Sequence, residues 1–226
     1  MPKTKKEKKK EEKEQRKAML LQQLKEEKER KALVEKANQV DDVLATLKPF
    51  VKYEKNGVKV SLKFFKRSQL TDDLAVWAFA LLKENMEAIY EEGGWGWKDS
   101  QKRKELLHDD ARFLIAFDEQ EKPVGFSHFR FSPEGQTVVL YIYELQIHSD
   151  FRYKGLGQHM TRTLELVALR HKMEWVMLTV FKKNKSSMNF FMGKMKYEVD
   201  ETSPSHDIWD DSTYEILSKS LIRKGK

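Results

Sequence analysis

The 226-residue chain is 39% hydrophobic and 35% charged, carries a formal net charge of +7, and has no cysteine. This excludes a disulfide framework, a thiolate nucleophile and a zinc–thiolate centre, and it implies that part of the chain lies outside any core. No apolar run reaches the ~18 residues of a membrane span, and the start is polar where a secretory leader needs an apolar stretch. A soluble intracellular protein with no membrane partner is expected.

The charge sits at the front. Residues 1–36 hold 14 lysines and arginines against 8 acids, and the rest of the chain is nearly neutral. No nucleic-acid site is therefore expected on the folded part. The Lys/Glu run over 3–17 reads as a solvated charged tail or helix, and Lys8-Lys9-Lys10 also fits a nuclear import signal. From Leu20 the pattern turns helical. Leu33, Ala37, Val40, Leu44 and Leu47 make one apolar stripe, too short for a coiled coil and expected to dock on the domain, with Pro49 ending it.

Val58, Val60, Leu62 and Phe64 alternate with polar residues after an Asn56-Gly57 turn and predict a first strand. Thr71 or Asp72 caps a helix that buries Leu74, Trp77, Leu81 and Met86 and fades near Tyr90. Trp95-Gly96-Trp97 is either a hydrophobic plug or the wall of a ligand groove. A charged helix over Lys98–Leu107 follows. Strands Arg112–Phe117, Val124–Phe131 and Val138–Ile147 form a meander, with a turn at Ser132-Pro133-Glu134-Gly135 before the last. A helix over 157–171 turns Leu164, Val167 and Ala168 inward. Strand Trp175–Val180, a helix over 186–195 with Met188, Phe191 and Met195 on one side, and a hairpin near Lys196–Val199 and Tyr214–Lys219 complete an α+β order with one right-handed β-α-β crossover.

The stretch Leu140–Gln158 organises the rest. A strand runs into Arg152-Tyr153-Lys154-Gly155-Leu156-Gly157 and then into a helix, which is how backbone N–H groups are presented to a phosphate. Glu144 stands on the strand just upstream.

Arg152, Gly155 and Gly157 spell Arg-x-x-Gly-x-Gly between a long strand and a helix, with Asn184 before a later helix. This resembles the GCN5-related N-acetyltransferase (GNAT) superfamily. Further stretches resemble its NatD branch of histone-directed N-terminal acetyltransferases, over about Tyr53 to Leu217. They are Tyr90 with Trp95-Gly96-Trp97-Lys98-Asp99, Phe126-Ser127-His128-Phe129-Arg130-Phe131, Tyr141-x-Tyr143-Glu144, Lys154-Gly155-Leu156-Gly157 and Val176-Met177-Leu178-Thr179-Val180-Phe181. Ser203-Pro204-Ser205 and Tyr214-Glu215-Ile216-Leu217 close the series.

The resemblance implies a mixed α/β three-layer fold, with a mostly antiparallel sheet splayed at its fourth and fifth strands and helices on both faces. Residues 1–50 would be a basic helical extension, 51–220 the acetyltransferase domain and 221–226 a basic tail. The implied activity is transfer of acetyl from acetyl-CoA to the N-terminal amine of histones 2A and 4, which begin Ser-Gly-Arg-Gly, by a monomer in nucleus and cytoplasm. By motif, the cofactor contacts fall on Leu145, Gln146, Ile147, Arg152, Tyr153, Lys154, Gly155, Leu156, Gly157, Gln158 and Asn184. The peptide contacts fall on Tyr90, Trp95, Glu134, Tyr141, Tyr143, Thr179, Thr202 and Tyr214, with Glu144 and Tyr143 nearest the chemistry. Where the family has an acidic Asp-x-Glu pair after Phe-Arg-Phe, this chain has Ser132-Pro133-Glu134 and keeps only the second acid. The alternatives are a GNAT enzyme acting on lysines or small amines, or an idle GNAT domain tethered to chromatin.

On an apolar-aromatic strand, desolvation raises the pKa of Glu144 toward that of a useful base; a structural ion pair is the competing reading. In a regular strand Tyr143 points to the other face, so both residues serve one site only if the strand is bulged or splayed. Hydroxyls at Tyr141, Tyr143 or Tyr214 are candidate donors to substrate or leaving thiolate. His128 is expected to be packed, and the six histidines show no metal-ligand spacing, so no metal is expected.

Overall fold

Alternation of apolar and polar residues sets the strand that begins at Val58, near-continuous apolar runs set those over Arg112–Phe117 and Trp175–Phe181, and one strand was not legible as such. The computed structural model describes residues 5–207 and 209–222, with side chains from Glu11 onward. The front of the charged extension, the side chains of Lys8-Lys9-Lys10 and the tail beyond residue 222 lie outside the described residues.

The sheet holds β1 (Lys52–Lys55), β2 (Val58–Lys66), β3 (Arg112–Phe117), β4 (Pro123–Glu134), β5 (Thr137–Ile147), β6 (Trp175–Phe181), β7 (Glu198–Val199) and β8 (Tyr214–Ser220). Their spatial order is β1-β2-β3-β4-β5-β6-β8-β7. Every neighbouring pair is antiparallel except β5 and β6, which are parallel. The parallel pair is joined through α4 (Leu156–Arg170), as a β-α-β unit requires. This is the mixed, mostly antiparallel sheet that the resemblance implies.

Two cores flank the sheet. One joins Leu164 and Val167 of α4 to Leu140, Ile142 and Leu178, and takes in Val34 and Ala37 of α1 (Lys5–Gln39). The other joins Phe79 and Leu82 of α2 (Asp72–Glu92) and Leu106 of α3 (Asp99–Leu106) to Phe113, Ile115 and Phe126. Helix α2 starts where Thr71 Oγ1 accepts from the Leu74 amide at 3.3 Å, with Asp72 and Asp73 beside the positive end of the dipole.

Two irregularities in β5 create the site. It pairs with β6 only from Val139 to Ile142; beyond that β5 continues along β4 alone and β6 along β8, so the two strands part. On the other edge, His128 stands opposite Glu144 but Phe129 stands opposite Ile142, so Tyr143 is an extra residue. The strand is therefore both splayed and bulged, which meets the condition for Tyr143 and Glu144 to serve one site.

Four expectations need correction. Lys52–Lys55 pairs with Val58–Lys66 as a hairpin around Asn56-Gly57; with only Tyr53 buried, it has too little alternation to be read as a strand. The apolar stripe is helical only to Gln39, after which the chain turns, with Asp42 Oδ1 accepting from the Leu44 amide at 2.8 Å; Val43, Leu44 and Leu47 are buried all the same. Ser132, Pro133 and Glu134 continue β4, and the turn falls at Gly135, whose φ of 56° suits glycine. The expected helix over 186–195 is one α-turn, α5 (Lys185–Met188), followed by a π-helical segment over 189–194.

The buried face of α2 also differs in detail: Ala75, Ala78, Phe79, Leu81 and Leu82 are buried, whereas Leu74, Trp77 and Met86 pack at its margin. Because Leu47 is 3% exposed in the core under α1, Leu47→Ala is expected to lower unfolding free energy by about 2–5 kcal/mol in a urea titration. That result would show the segment before β1 to be part of the folded unit.

Candidate active site

Beyond Ile147 the chain makes a short 3-10 turn over Ser149–Phe151 and enters the glycine turn. Tyr153 and Gly155 have φ of 59° and 90°, and Gly155 is the N-cap of α4 without contributing a cap side chain. The first helical bond runs from the His159 amide to the Gly155 carbonyl at 3.0 Å, so the amides of 156, 157 and 158 precede it. An anion at this end of α4 meets those donors and the helix dipole.

A Cβ on Gly157 would lie 3.2 Å from Ile147 Cδ1 and 3.6 Å from the Phe190 ring, filling the space above the amides. The turn is held from behind: Tyr53 donates to the Lys154 carbonyl at 2.6 Å and Asn56 Nδ2 donates to the same oxygen at 3.0 Å. The unforeseen strand β1, through Tyr53, and the turn that follows it, through Asn56, thus supply the clamp. The residues fit a pyrophosphate. Gly157→Val is expected to weaken CoA binding at least ten-fold in calorimetry while leaving the melting temperature of the free protein close to wild type.

One groove of about 1350 Å³ runs from this turn into the gap between β5 and β6 and on to Trp95. Leu145, Gln146, Ile147, Arg152, Tyr153, Gly155, Gly157, Gln158 and Asn184 line it, as do Tyr90, Trp95, Glu134, Tyr141, Tyr143, Glu144, Thr179 and Thr202. Two residues named from sequence stand elsewhere: Lys154 contributes a carbonyl to the clamp, and Tyr214 packs behind Trp95 at 5.3 Å between ring centres; Leu156 buries its side chain in the core and offers the site only its amide. Asn184 caps α5, its Oδ1 accepting from the Ser187 amide at 3.0 Å.

Glu144 lies at the middle of the groove and is 7% exposed. Gln146 Nε2 donates to its Oε2 at 2.8 Å, and Lys102 Nζ stands 3.5 Å from its Oε1. Burial pushes its pKa up to about 7; Lys102 and Gln146 oppose that rise without cancelling it. Lys102 behaves differently. Burial works against its charge, but Glu144, Tyr90 and Glu105 together hold the ammonium above its ordinary range. It donates to the Tyr90 hydroxyl at 2.6 Å and to Glu105 Oε2 at 2.8 Å. The carboxylate can thus take up a proton near neutral pH while the ammonium beside it stays charged.

The far end is aromatic. Phe181 meets Tyr90 and Trp95 edge-on, each at 4.9 Å, and Trp97 closes on Tyr90 at 5.4 Å. Trp95 remains 49% exposed, with one edge packed and one presented to the groove. Tyr141 and Thr179 hydroxyls meet at 2.5 Å across the gap between β5 and β6. Burial pushes Tyr141 and Tyr90 up to about 12, so both stay neutral donors. Tyr143 lies against His128, rings 4.9 Å apart and nearly parallel, with the Arg130 guanidinium 4.3 Å from its ring centre. His128 is fully buried and held neutral by burial, with Arg130 and Lys102 adding to the effect, so it is the packed histidine expected. Ser132 Oγ donates to Glu134 Oε1 at 3.2 Å, orienting the acid that remains of the pair.

Sequence reasoning missed Lys102, Asn85, Arg130 and the clamp residues Tyr53 and Asn56. For Lys102 a signal existed: it and Leu106 are four apart and are the two buried residues of α3, so a lysine occupies the apolar line of a short helix. For Tyr53 and Asn56 none existed, because their partner is a carbonyl about a hundred positions away.

With this geometry in place, the family can be stated: the chain belongs to the acetyltransferase (GNAT) family, which residues 79–196 match, and it is an acetyl-transferring enzyme. Its fold is similar to that of a GNAT-family acetyltransferase from Listeria monocytogenes, at a TM-score of 0.52 and 13% identity over 75% of this chain and 99% of that one. It is similar to a chain of the NatC complex bound to Gag peptide and CoA, at a TM-score of 0.52 and 17% identity over 72% and 99% of the two chains. It is also similar to Arabidopsis thaliana Naa50 in complex with the bisubstrate analogue CoA-Ac-MVNAL, at 0.51 and 17% over 72% and 99%.

Proposed function

We propose that this enzyme is an N-terminal acetyltransferase that moves acetyl from acetyl-CoA to the α-amine of histones 2A and 4. The observation that carries the reading is the placement of Glu144: a buried carboxylate with a pKa near 7, in one groove between an anion-binding turn and an aromatic wall. An α-amine has an ordinary pKa of roughly 7.7–8.0, so passing its proton to such a carboxylate is almost level in free energy. A lysine side chain, at roughly 10.4, is less closely matched to that carboxylate.

Bound acetyl-CoA supplies the thioester. The amides at 156–158 and Arg152 receive its phosphates, and Glu144 takes a proton from the incoming ammonium, directly or through one water. The amine nitrogen then bonds to the acetyl carbon as the carbon–sulfur bond breaks, and the second proton the nitrogen loses replaces, through water, the one that Tyr143 gives to the thiolate. Tyr141 and Tyr90 hydroxyls are engaged by Thr179 and Lys102. The Tyr143 hydroxyl has no hydrogen-bond partner among the described residues, and we assign it the proton donated to the departing thiolate. The motif likeness to histone-directed enzymes supports the substrate, as does Glu134 at the mouth of the groove for a basic residue. In NatC and Naa50 a similar fold holds CoA or a CoA conjugate together with a peptide. On this reading the protein works as a monomer in cytoplasm and nucleus.

Purified protein with acetyl-CoA and a Ser-Gly-Arg-Gly peptide is expected to give a product acetylated at the α-amine by mass spectrometry. The same peptide with that amine blocked is expected to give none. Modification of lysines in the blocked peptide overturns the reading.

A further inference from the structure

A line of polar side chains joins the glycine turn to Glu144. Arg152 donates through Nε to the Ile147 carbonyl at 2.9 Å and through Nη2 to Asn85 Oδ1. Asn85, on α2, donates through Nδ2 to Gln146 Oε1 at 3.0 Å and, more weakly, to the Ile147 carbonyl at 3.4 Å. Gln146 donates through Nε2 to Glu144 Oε2 at 2.8 Å. The ends of this line fix its direction, because a guanidinium only donates and an ionised carboxylate only accepts. The two amides between them have one orientation that satisfies both ends. Arg152 draws the oxygen of Asn85 toward the turn; the amino group of Asn85 then faces Gln146, and the amino group of Gln146 faces Glu144.

We propose that Asn85 is a positioning residue for Glu144, holding Gln146 as a donor to the carboxylate and tying that orientation to Arg152 in the glycine turn. This rests on Glu144 being the base of the proposed reaction. Without Asn85 the Gln146 amide is free to rotate. With its oxygen toward Glu144 it accepts from the protonated acid and repels the ionised one. The other groups facing Glu144 are Lys102 and Glu105 from α3, Tyr90 from α2, and His128 opposite it on β4. None of them hydrogen-bonds Asn85 or Gln146 among the described residues, so changing Asn85 leaves their contacts with Glu144 in place.

The test is a carbon-13 NMR titration of the full chain labelled at glutamate Cδ, with the Glu144 signal assigned by its loss in Glu144→Gln. In Asn85→Leu, which keeps the shape, and Asn85→Ala, which suits the helix, the midpoint of Glu144 is expected to rise by about one pH unit, the scale of one lost bond to an ionised group. A purely structural role for Asn85 lowers the melting temperature without moving the midpoint. An unchanged midpoint in a folded variant overturns the proposal. The titration needs no acetyl transfer, so failure of the peptide assay overturns the proposed function and leaves this result to stand separately.

Discussion

Glu144→Gln is expected to lower turnover by about 10²- to 10⁴-fold while acetyl-CoA still raises the melting temperature. The substitution keeps the shape of the side chain and an oxygen for Gln146 to donate to, but removes the group that takes the proton. Nothing in the glycine turn depends on it directly, since the turn is held by Tyr53, Asn56 and Asn85. In the unmodified enzyme, kcat/KM is expected to fall as pH drops below about 7, because the protonated carboxyl is no longer a base. The same group sets a stability trend of opposite sign. Its folded pKa lies above the ordinary value of 4.5, so its protonation favours the folded state below 4.5, and that contribution is lost as pH rises toward about 7. Glu144→Gln should flatten stability against pH across that window. Unchanged turnover would remove Glu144 from the mechanism.

Gly155→Val is the second large effect, and it strikes the turn rather than the chemistry. At φ 90° an L-residue meets steric opposition of about 1–2 kcal/mol, more when β-branched. The added Cβ would also overlap the Tyr53 hydroxyl. Tyr53 must then leave the Lys154 carbonyl, at a further cost of about 1–3 kcal/mol for a part-buried acceptor left with fewer donors. Both effects act on the segment that presents the amides of α4, so CoA-induced thermal stabilisation is expected to vanish and urea unfolding to begin earlier. Gly157 contrasts with it. That glycine has ordinary backbone angles and faces a movable Ile147 side chain, so a larger residue there obstructs the ligand while leaving the fold intact. If Gly155→Val binds CoA as tightly as wild type, the turn is not the phosphate site.

The parts of the molecule legible in its sequence are those whose signal is local. Leu140–Ile147 reads as a strand because its apolar and aromatic residues are interrupted only by Glu144 and Gln146, and the glycine turn reads as one because glycine permits the left-handed backbone that Gly155 adopts. Thr71 as a cap and His128 as a packed ring follow the same logic, whereas Trp95, readable as plug or groove wall, packs on Phe181 and also lines the groove. The bulge at Tyr143 could be stated as a condition but not located, since it exists only in the pairing of β5 with β4. Lys102 could not be matched to Glu144, because α3 precedes β5 by some forty residues and no local pattern links them. The Arg152–Asn85–Gln146 line is of the same kind: in sequence Arg152 and Gln146 read only as cofactor contacts and Asn85 not at all, and their hydrogen bonds appear once α2 lies against β5. The extension was expected as one helix through Leu47, but helix formation stops at Gln39 while the apolar docking continues, because burial of Val43, Leu44 and Leu47 needs no helical path.

The most direct measurement is a mass-spectrometric scan of the purified full chain over a library of N-terminal peptides with free amines, each also carrying an internal lysine. The result expected is acetylation confined to α-amines, fastest for peptides that begin Ser-Gly-Arg-Gly. Acetyl groups on the internal lysines, or equal rates across unrelated N-termini, would contradict it.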